Sequence, residues 1–394
     1  MLFLMRSKVL ALTSVALATA LVLSGCAAKD SKSDGGSGGD ITIGASLELS
    51  GATQSIGTAY KKALQLEVAD INKKGVLNGR KFRLIIKDNQ TKPDQNIVNV
   101  NDFITHDHVA AVITGGCSAC TIPVTSIVEK RKVPMISLAS ASAITEPVAQ
   151  RQYTFKISPN PSQDATVLLD SLKKKGVKSI GLLNVNNPYG QEGRAAVTAE
   201  AEKDGITILG TQQFGQDDKD MSVQAEKLAG LRPDAVVAWA VGPAAAISAK
   251  NLKDAGFKGG LYLDAGAGAE LFIQGAQSAA EGTHMVFPRV LAINDVTTDS
   301  AQVRAQKAWV KEYTSKYQPY SGFASFAADA LIMLSKAIDQ ANGTNGPKLR
   351  GALETLGFDG MSGRIQNSPE QHSGLQPEAL AVLEVKNGAW HIED

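Results

Sequence analysis

The sequence predicts an α/β protein with two Rossmann-like lobes, each built around a parallel β-sheet. From Ile41 onward, short apolar runs typical of buried strands alternate with amphipathic runs typical of helices, at a spacing of roughly 25 to 35 residues. The alternation restarts near Ser179, and 394 residues are too many for one ordinary hydrophobic core. The restart and the length together indicate two lobes.

The first half of the chain carries the clearest alternation. A helix is expected where Ala59, Ala63 and Leu66 recur at helical spacing, and Gly75 follows in the usual place for a helix stop. The strands predicted here are 41–47, 82–86, 109–113 and 134–138, and the helices are 58–73, 93–106 and 122–130.

The second half repeats the pattern, with strands predicted at 179–185, 206–209, 235–239 and 260–263. Parallel sheets of this kind bind ligands beyond the carboxyl ends of their strands. The loops to inspect are therefore 47–57, 115–121, 139–142, 186–190, 240–243 and 264–268.

The N-terminus predicts export and lipidation. Arg6 and Lys8 precede an apolar stretch, 9–23, that is too short for a comfortable membrane span. Leu23-Ser24-Gly25-Cys26 is similar to a bacterial lipobox, so residues 1–25 are predicted to be a lipoprotein signal peptide and Cys26 the lipidated residue. Residues 26–40, rich in Gly and Ser, would then be a flexible tether. A plain transmembrane anchor is the alternative.

The charge balance argues against nucleic acid as a partner. Hydrophobic residues make up 43% and charged residues 20% of the chain, which are globular values. The formal net charge of +1 becomes −1 when Arg6 and Lys8 of the predicted leader are set aside. Binding to nucleic acid requires a clearly basic face.

The stretch Thr114-Gly115-Gly116-Cys117-Ser118-Ala119-Cys120-Thr121 predicts an anion site between a buried strand and a helix. Two glycines permit a sharp turn, and the free amides and dipole of the helix start favour a negative charge. We expect this turn to hold the carboxylate of a small ligand. Its two cysteines could pair with each other, remain free or carry out redox chemistry.

The other loops are rich in Ser, Gly and Ala, which let backbone groups approach a ligand closely. Tyr189 and Trp239 could supply apolar walls with polar handles. Trp239 has the alternative of filling the core.

The sequence gives no support for an enzyme. No Walker-type phosphate loop occurs, and Gly266-Ala267-Gly268 is only a fragment of a dinucleotide fingerprint. The five histidines lack zinc-binding spacing, and Ser118 has no histidine in a plausible partner loop. The prediction is a binding protein without a cofactor or metal.

Together these features resemble the branched-chain (leucine/isoleucine/valine) amino acid substrate-binding proteins of ABC importers, which have the type I periplasmic binding protein fold. The resemblance covers nearly all of the chain from Ile41 onward. The segments that carry it are IGASLELSG at 43–51, ADINKKG at 69–75, VPMIS at 133–137, AITEP at 143–147 and NPYG at 187–190.

The resemblance implies two lobes joined by three crossovers, which close over a ligand between them. Lobe 1 would comprise 41–158 and 287–358, and lobe 2 would comprise 159–286 and 359–394. The expected function is that of a monomeric, lipid-anchored, extracytoplasmic protein that delivers a branched-chain or hydrophobic amino acid, or a related small carboxylate, to ABC permease and ATPase subunits. A ligand-sensing receptor of the same fold is the alternative.

The resemblance also implies roles for individual residues. Ser118, beside Cys117, matches the serine that binds the ligand carboxylate, and Tyr189 matches a tyrosine that folds over the ligand. The loop from Ala139 through Ser140 to Ala141 matches one that supplies a carbonyl and an amide. Ile56 and Phe323 match apolar walls, while Trp239 remains a candidate only from its place at the end of a predicted strand.

The sequence departs from the family at the ligand ammonium. The family presents a Glu where this chain has Ala265, with Asp264 adjacent. An ammonium buried without a carboxylate is costly, so the alternative ligand is an aromatic or aliphatic acid that lacks an amine. The family's disulfide partner is also missing from 88–91, so Cys117 would pair with Cys120 or stay reduced.

Overall fold

The structure is a computed structural model that describes residues 39–393. The predicted signal peptide, the lipidation site at Cys26 and all but the last two residues of the predicted tether lie outside the described residues. Within 39–393, no helix has both the length and the apolar character needed to cross a bilayer.

The first sheet is fully parallel and has five strands in the order β2-β1-β3-β4-β5. All of β1 except Thr42 is buried, as expected for a strand covered by helices on both faces. We call this sheet and the helices packed on it lobe 1. Its strands are β1 Ile41–Leu47, β2 Phe82–Asp88, β3 Ala111–Thr114, β4 Met135–Ser137 and β5 Thr154–Lys156.

The second sheet has seven strands in the order β14-β13-β10-β9-β8-β6-β7, and with its helices it forms lobe 2. β13 pairs antiparallel with β10, and β14 pairs antiparallel with β13, so two C-terminal strands extend the predicted parallel sheet. The strands are β6 Ser179–Val185, β7 Thr207–Phe214, β8 Ala235–Trp239, β9 Gly260–Leu263, β10 His284–Pro288, β13 Leu380–Lys386 and β14 Ala389–Ile392; a separate hairpin is formed by β11 Gly357–Asp359 and β12 Arg364–Gln366.

The helices cover both sheets, and α11 packs along α1 on lobe 1. The predicted helix at 122–130 is divided, because Pro123 has no amide to continue a helical ladder; a 3₁₀ turn, Ile122–Val124, separates α3 from α4. The helices are α1 Gln54–Lys74, α2 Pro93–Thr105, α3 Ser118–Thr121, α4 Thr125–Arg131, α5 Pro161–Lys174, α6 Pro188–Asp204, α7 Ser222–Gly230, α8 Pro243–Asp254, α9 Glu270–Ala276, α10 Ala301–Lys316, α11 Phe323–Ala341 and α12 Gly346–Glu354.

The chain passes between the lobes three times: after β5, after β10 and before β13. The predicted boundaries at 158, 286 and 358 lie near these passages. The third falls inside β11, and Ser373 forms a bridge with Lys156 of β5. The detailed division into lobes therefore stays a prediction.

Candidate ligand site

A cavity of about 610 Å³, counted out to its opening, lies between the two lobes. Its described lining has polar and apolar side chains but no Asp, Glu, Lys, Arg or His. The lining residues are Thr53, Ile56, Tyr60, Thr91, Gly116, Cys117, Ser118, Ala119, Leu138, Ser140, Pro159, Asn187, Tyr189, Gln216, Val241, Ala265, Gly266, Phe323 and Phe326.

The structure brings part of the predicted site together on this cavity. The predicted residues on the lining are Ile56, Cys117, Ser118, Ser140, Tyr189 and Phe323. The remaining predicted residues are buried behind the wall and are Ala139, Ala141, Trp239 and Asp264.

The turn after β3 already holds a carboxylate, and it belongs to the protein. Glu48, at the end of β1, is buried, and its Oε2 accepts a hydrogen bond from the Gly116 amide at 3.0 Å. Its Oε1 accepts from the Asn89 Nδ2 at 2.9 Å and from the Cys117 amide at 3.3 Å. The amides expected to bind a ligand carboxylate are thus partly occupied by Glu48.

Glycine at position 115 makes this arrangement possible. A Cβ on Gly115 would overlap the Glu48 carboxylate, so any larger residue would displace it. Burial raises the pKa of Glu48, although hydrogen bonds from Asn89, Gly116 and Cys117 act in the opposite direction. The raised pKa reflects the cost of keeping a charge in the interior.

Among the turn residues on the described lining of the cavity, Ser118 alone carries a hydroxyl. Its Oγ accepts a hydrogen bond from the Ala141 amide at 3.2 Å, which leaves the hydroxyl proton available to a ligand oxygen. The neighbouring Cys117 and Cys120 form a disulfide bond, one of the states that the sequence left open.

The loop after β4 has its carbonyls engaged by protein donors. The Ala139 carbonyl accepts from the Ser158 hydroxyl at 2.8 Å, and the Ser140 carbonyl accepts from Lys156 Nζ at 2.5 Å. Lys156 is fully buried, and burial lowers its pKa to about 8. The carboxylates of Glu192, Glu146 and Asp164 act in the opposite direction and favour the charged form of this amine, which lies behind the cavity wall at Ser140.

Asp264 accepts hydrogen bonds from Tyr189 and from the surrounding backbone. One carboxylate oxygen accepts from the Ala240 amide at 2.8 Å, and the other accepts from the Gly266 amide at 3.0 Å and from the Tyr189 hydroxyl. Asp264 is completely buried, and burial raises its pKa to about 7. Its role in the structure is to orient Tyr189, whose ring lies on the cavity.

Trp239 lies in the core of lobe 2, the alternative considered from the sequence. It is completely buried, and its indole packs where a Cβ on Gly193 would overlap it. Its ring centroid is 5.9 Å from that of Tyr189, so Trp239 supports the cavity from behind.

The comparisons with known proteins agree with this geometry. The sequence profile of a family described as periplasmic binding protein matches residues 40–389. The chain belongs to the periplasmic binding protein family. The predicted family and fold are thereby confirmed, and so is the prediction of a solute-binding protein in place of an enzyme.

Two relatives by sequence and one solved structure are similar to this periplasmic binding protein. An amino acid binding protein of Pseudomonas aeruginosa is 24% identical over 231 residues, which is 58% of this chain and 61% of that protein. The leucine-, isoleucine-, valine-, threonine-, and alanine-binding protein of the same organism is 24% identical over 329 residues, covering 82% of this chain and 85% of that one. A solute binding protein of an ABC transporter from Rhodopseudomonas palustris BisB5, solved with 3,4-dihydroxy benzoic acid, shares the fold with a TM-score of 0.79 at 19% identity, covering 90% of this chain and 95% of that chain.

Several lining residues of this periplasmic binding protein were missed from the sequence. Thr91 and Gln216 follow β2 and β7, which also end at the cleft, but those loops were not among the ones selected. β7 is an edge strand that continues through polar residues, so its end lies beyond the apolar run at 206–209. The buried position of Glu48 could have been predicted from the sequence, since it is a single carboxylate between two leucines at a strand end.

Proposed function

We propose that this protein is the monomeric, extracytoplasmic solute-binding component of an ABC importer, held at the membrane by lipid on Cys26. Its ligand is a small hydrophobic carboxylic acid that lacks an ammonium group. The observation that carries this proposal is the interlobe cavity, whose described lining combines apolar walls with the Ser118 hydroxyl and has no acidic side chain.

The surroundings of the cavity disfavour a ligand ammonium. The carbonyls of Ala139 and Ser140 already accept from protein donors, and the Lys156 cation bonded to Ser140 would repel a second positive charge. Asp264 already accepts three hydrogen bonds. An ammonium buried without a carboxylate partner is costly, whereas the same Lys156 favours an anion.

The second candidate ligand is a hydrophobic amino acid, favoured by the names of the amino acid binding relatives from Pseudomonas aeruginosa. The fold itself is compatible with an acid lacking an amine, since the Rhodopseudomonas palustris protein was solved with 3,4-dihydroxy benzoic acid. The two candidates differ in one group, so matched ligands separate them.

The deciding experiment is isothermal titration calorimetry with two matched pairs: L-leucine against 4-methylpentanoate, and L-phenylalanine against 3-phenylpropanoate. Within each pair only the ammonium differs. We expect the acid to bind at least about tenfold more tightly, because one uncompensated polar group costs 1.4 kcal/mol or more. Tighter binding of the amino acids would establish the second candidate, and no binding in either pair would refute both.

Replacing Ser118 with alanine should weaken binding of the preferred acid by about 10- to 100-fold. A hydrogen bond to a charged group is worth about 1.5–3 kcal/mol, and the hydroxyl is the group directed to the ligand carboxylate. Calorimetry on Ser118→Ala measures the loss. Ser126→Ala, whose hydroxyl bonds the Pro123 carbonyl on the exposed side of α4, is the control. Equal affinities for both variants would remove Ser118 from the site.

Glu192 should contribute to closure of the lobes. From α6 in lobe 2, both of its carboxylate oxygens accept from the Ser142 amide of lobe 1, at 3.1 and 2.9 Å. Only interactions made better in the closed form favour closure. We expect Glu192→Ala to reduce ligand affinity about 10- to 100-fold, because a hydrogen bond to a charged group is worth about 1.5–3 kcal/mol.

The same titration with Glu200→Ala, which lies on α6 and pairs with Lys203, is the matched control for Glu192. Unchanged affinity in Glu192→Ala would mean that this contact has no part in closure. Transport, as opposed to sensing, is tested by uptake of the labelled acid in a deletion strain.

A further inference from the structure

A second cavity adjoins the candidate ligand site. It encloses about 1090 Å³, counted out to its opening, and lies between helices α8 and α9 of lobe 2 and the start of α1 in lobe 1. We call it the α8–α9 groove and define it by five of its apolar residues, which are Pro243, Ala246, Ile247, Leu271 and Phe272.

The groove and the ligand cavity share a wall. Ile56, Gly266 and Phe323 line both spaces. Ile56 Cδ1 lies 3.8 Å from where a Cβ on Gly242 would be, so this side chain reaches lobe 2 and helps to divide the two spaces. Ile56 and Phe323 supply the side chains of this shared wall, and both are buried. A tail that passes from one space to the other therefore requires a change of rotamer in at least one of them.

The chemistry of the groove suits an apolar chain. Its described lining carries a single charged residue, Lys250, and Leu271 is 39% exposed. Contiguous exposed apolar surface marks ligand-binding grooves and interaction sites, and ligand pockets are lined mainly by apolar side chains. Since the groove begins where the apolar walls of the ligand cavity end, the occupant that fits is the apolar continuation of the same ligand.

We propose that the α8–α9 groove is a subsite for the tail of an elongated carboxylic acid, such as a medium-chain or aryl-alkanoic acid. The carboxylate lies at Ser118, and the tail passes between Ile56 and Phe323 into the groove. This inference rests on the proposed function, since it needs a carboxylate at Ser118. It assigns this site to ligands longer than an amino acid side chain.

The test measures affinity against chain length. Calorimetry with hexanoate, octanoate and decanoate should show binding at one site that tightens about fourfold per added methylene, as expected for burial of each CH₂. Leu271→Gln places a polar amide in the groove and should reduce this gain for decanoate, while affinity for hexanoate stays the same. The matched control is Leu231→Gln, at a leucine that is 44% exposed and lies on neither cavity.

A second variant fills the groove. Ala246→Phe should abolish the gain for decanoate and leave hexanoate binding intact. Ala246 Cβ lies 2.9 Å from where a Cβ on Gly275 would be, so thermal unfolding must show that this variant is folded. If it is not, Leu271→Gln decides the matter alone.

The outcomes separate the two proposals. Binding of hexanoate with no gain for longer acids, or a gain equally large in Leu271→Gln and Leu231→Gln, overturns the tail subsite and leaves the proposed function standing. If no acid binds, including those of the matched pairs above, the proposed function fails and the subsite fails with it.

Discussion

Replacing Glu48 with alanine should lower the free energy of unfolding by about 3–5 kcal/mol. The variant removes the acceptor of three hydrogen bonds, a buried one from Asn89 and two partly buried ones from the amides of Gly116 and Cys117. Each buried donor left without a partner costs about 1–3 kcal/mol. The total is reduced because burial of Glu48 itself is unfavourable, as the raised pKa of its carboxyl shows. Urea denaturation of the ligand-free protein measures the effect.

The control for Glu48 is Glu202→Ala, at an exposed position of α6, where we expect a change within about 0.5 kcal/mol. A loss for Glu48→Ala no larger than for this control would contradict the role assigned to the carboxylate. The conservative variant Glu48→Gln keeps one acceptor oxygen and should fall between the two. Ligand affinity should decline in the same order, because Ser118 is attached to the turn that Glu48 holds.

The stability of the protein should fall as pH rises from 5 to 8, and Asp264 should account for about 3 kcal/mol of that fall. Burial raises the pKa of Asp264 to about 7 in the folded protein, whereas an unfolded aspartate has a pKa of about 3.9. Between these values the folded state binds more protons than the unfolded state, so the contribution is complete below about pH 4 and is lost as pH rises through about 7. Asp164 should also make stability fall as pH rises, because its burial and the Asp264 charge raise the pKa of its carboxyl. The Asp164 charge in turn raises the pKa of Tyr189.

The measurement compares the pH dependence of urea denaturation in the wild type and in Asp264→Asn. The variant should be less stable at pH 5, because its amide nitrogen cannot accept one of the three hydrogen bonds, but its stability should change less between pH 5 and 8. Asp254→Asn, at an exposed position of α8, should keep the wild-type slope. Parallel curves for the wild type and Asp264→Asn would show that Asp264 does not titrate in this range.

The sequence was most informative where local signals suffice. β1, β6 and β8 coincide with the predicted strands, because strands covered on both faces are continuous apolar runs. β5, β10, β13 and β14 were not anticipated. β7 was predicted too short, because edge strands tolerate polar residues. Pro123 indicates that the helix predicted at 122–130 is divided, but the prediction did not take this residue into account.

The candidate site was predictable only in part, because some of its contacts join residues that are far apart along the chain. Ser118 and Tyr189 lie on loops that follow strands, so a rule about strand ends finds them. The contacts of Glu48 with Gly116 and of Asp264 with Tyr189 join residues 68 and 75 positions apart, and no local pattern encodes them. These contacts decide which polar groups remain for a ligand.

Lys156 links the wall of the binding cavity to the first passage of the chain between the lobes. It belongs to the last strand before the first passage between lobes, and it bonds both the Ser140 carbonyl and Asn160, the cap of the first helix of lobe 2. If the cavity binds an acid as proposed, its negative charge would act on this ammonium group. Ligand occupancy and the angle between the lobes would then affect the same buried charge.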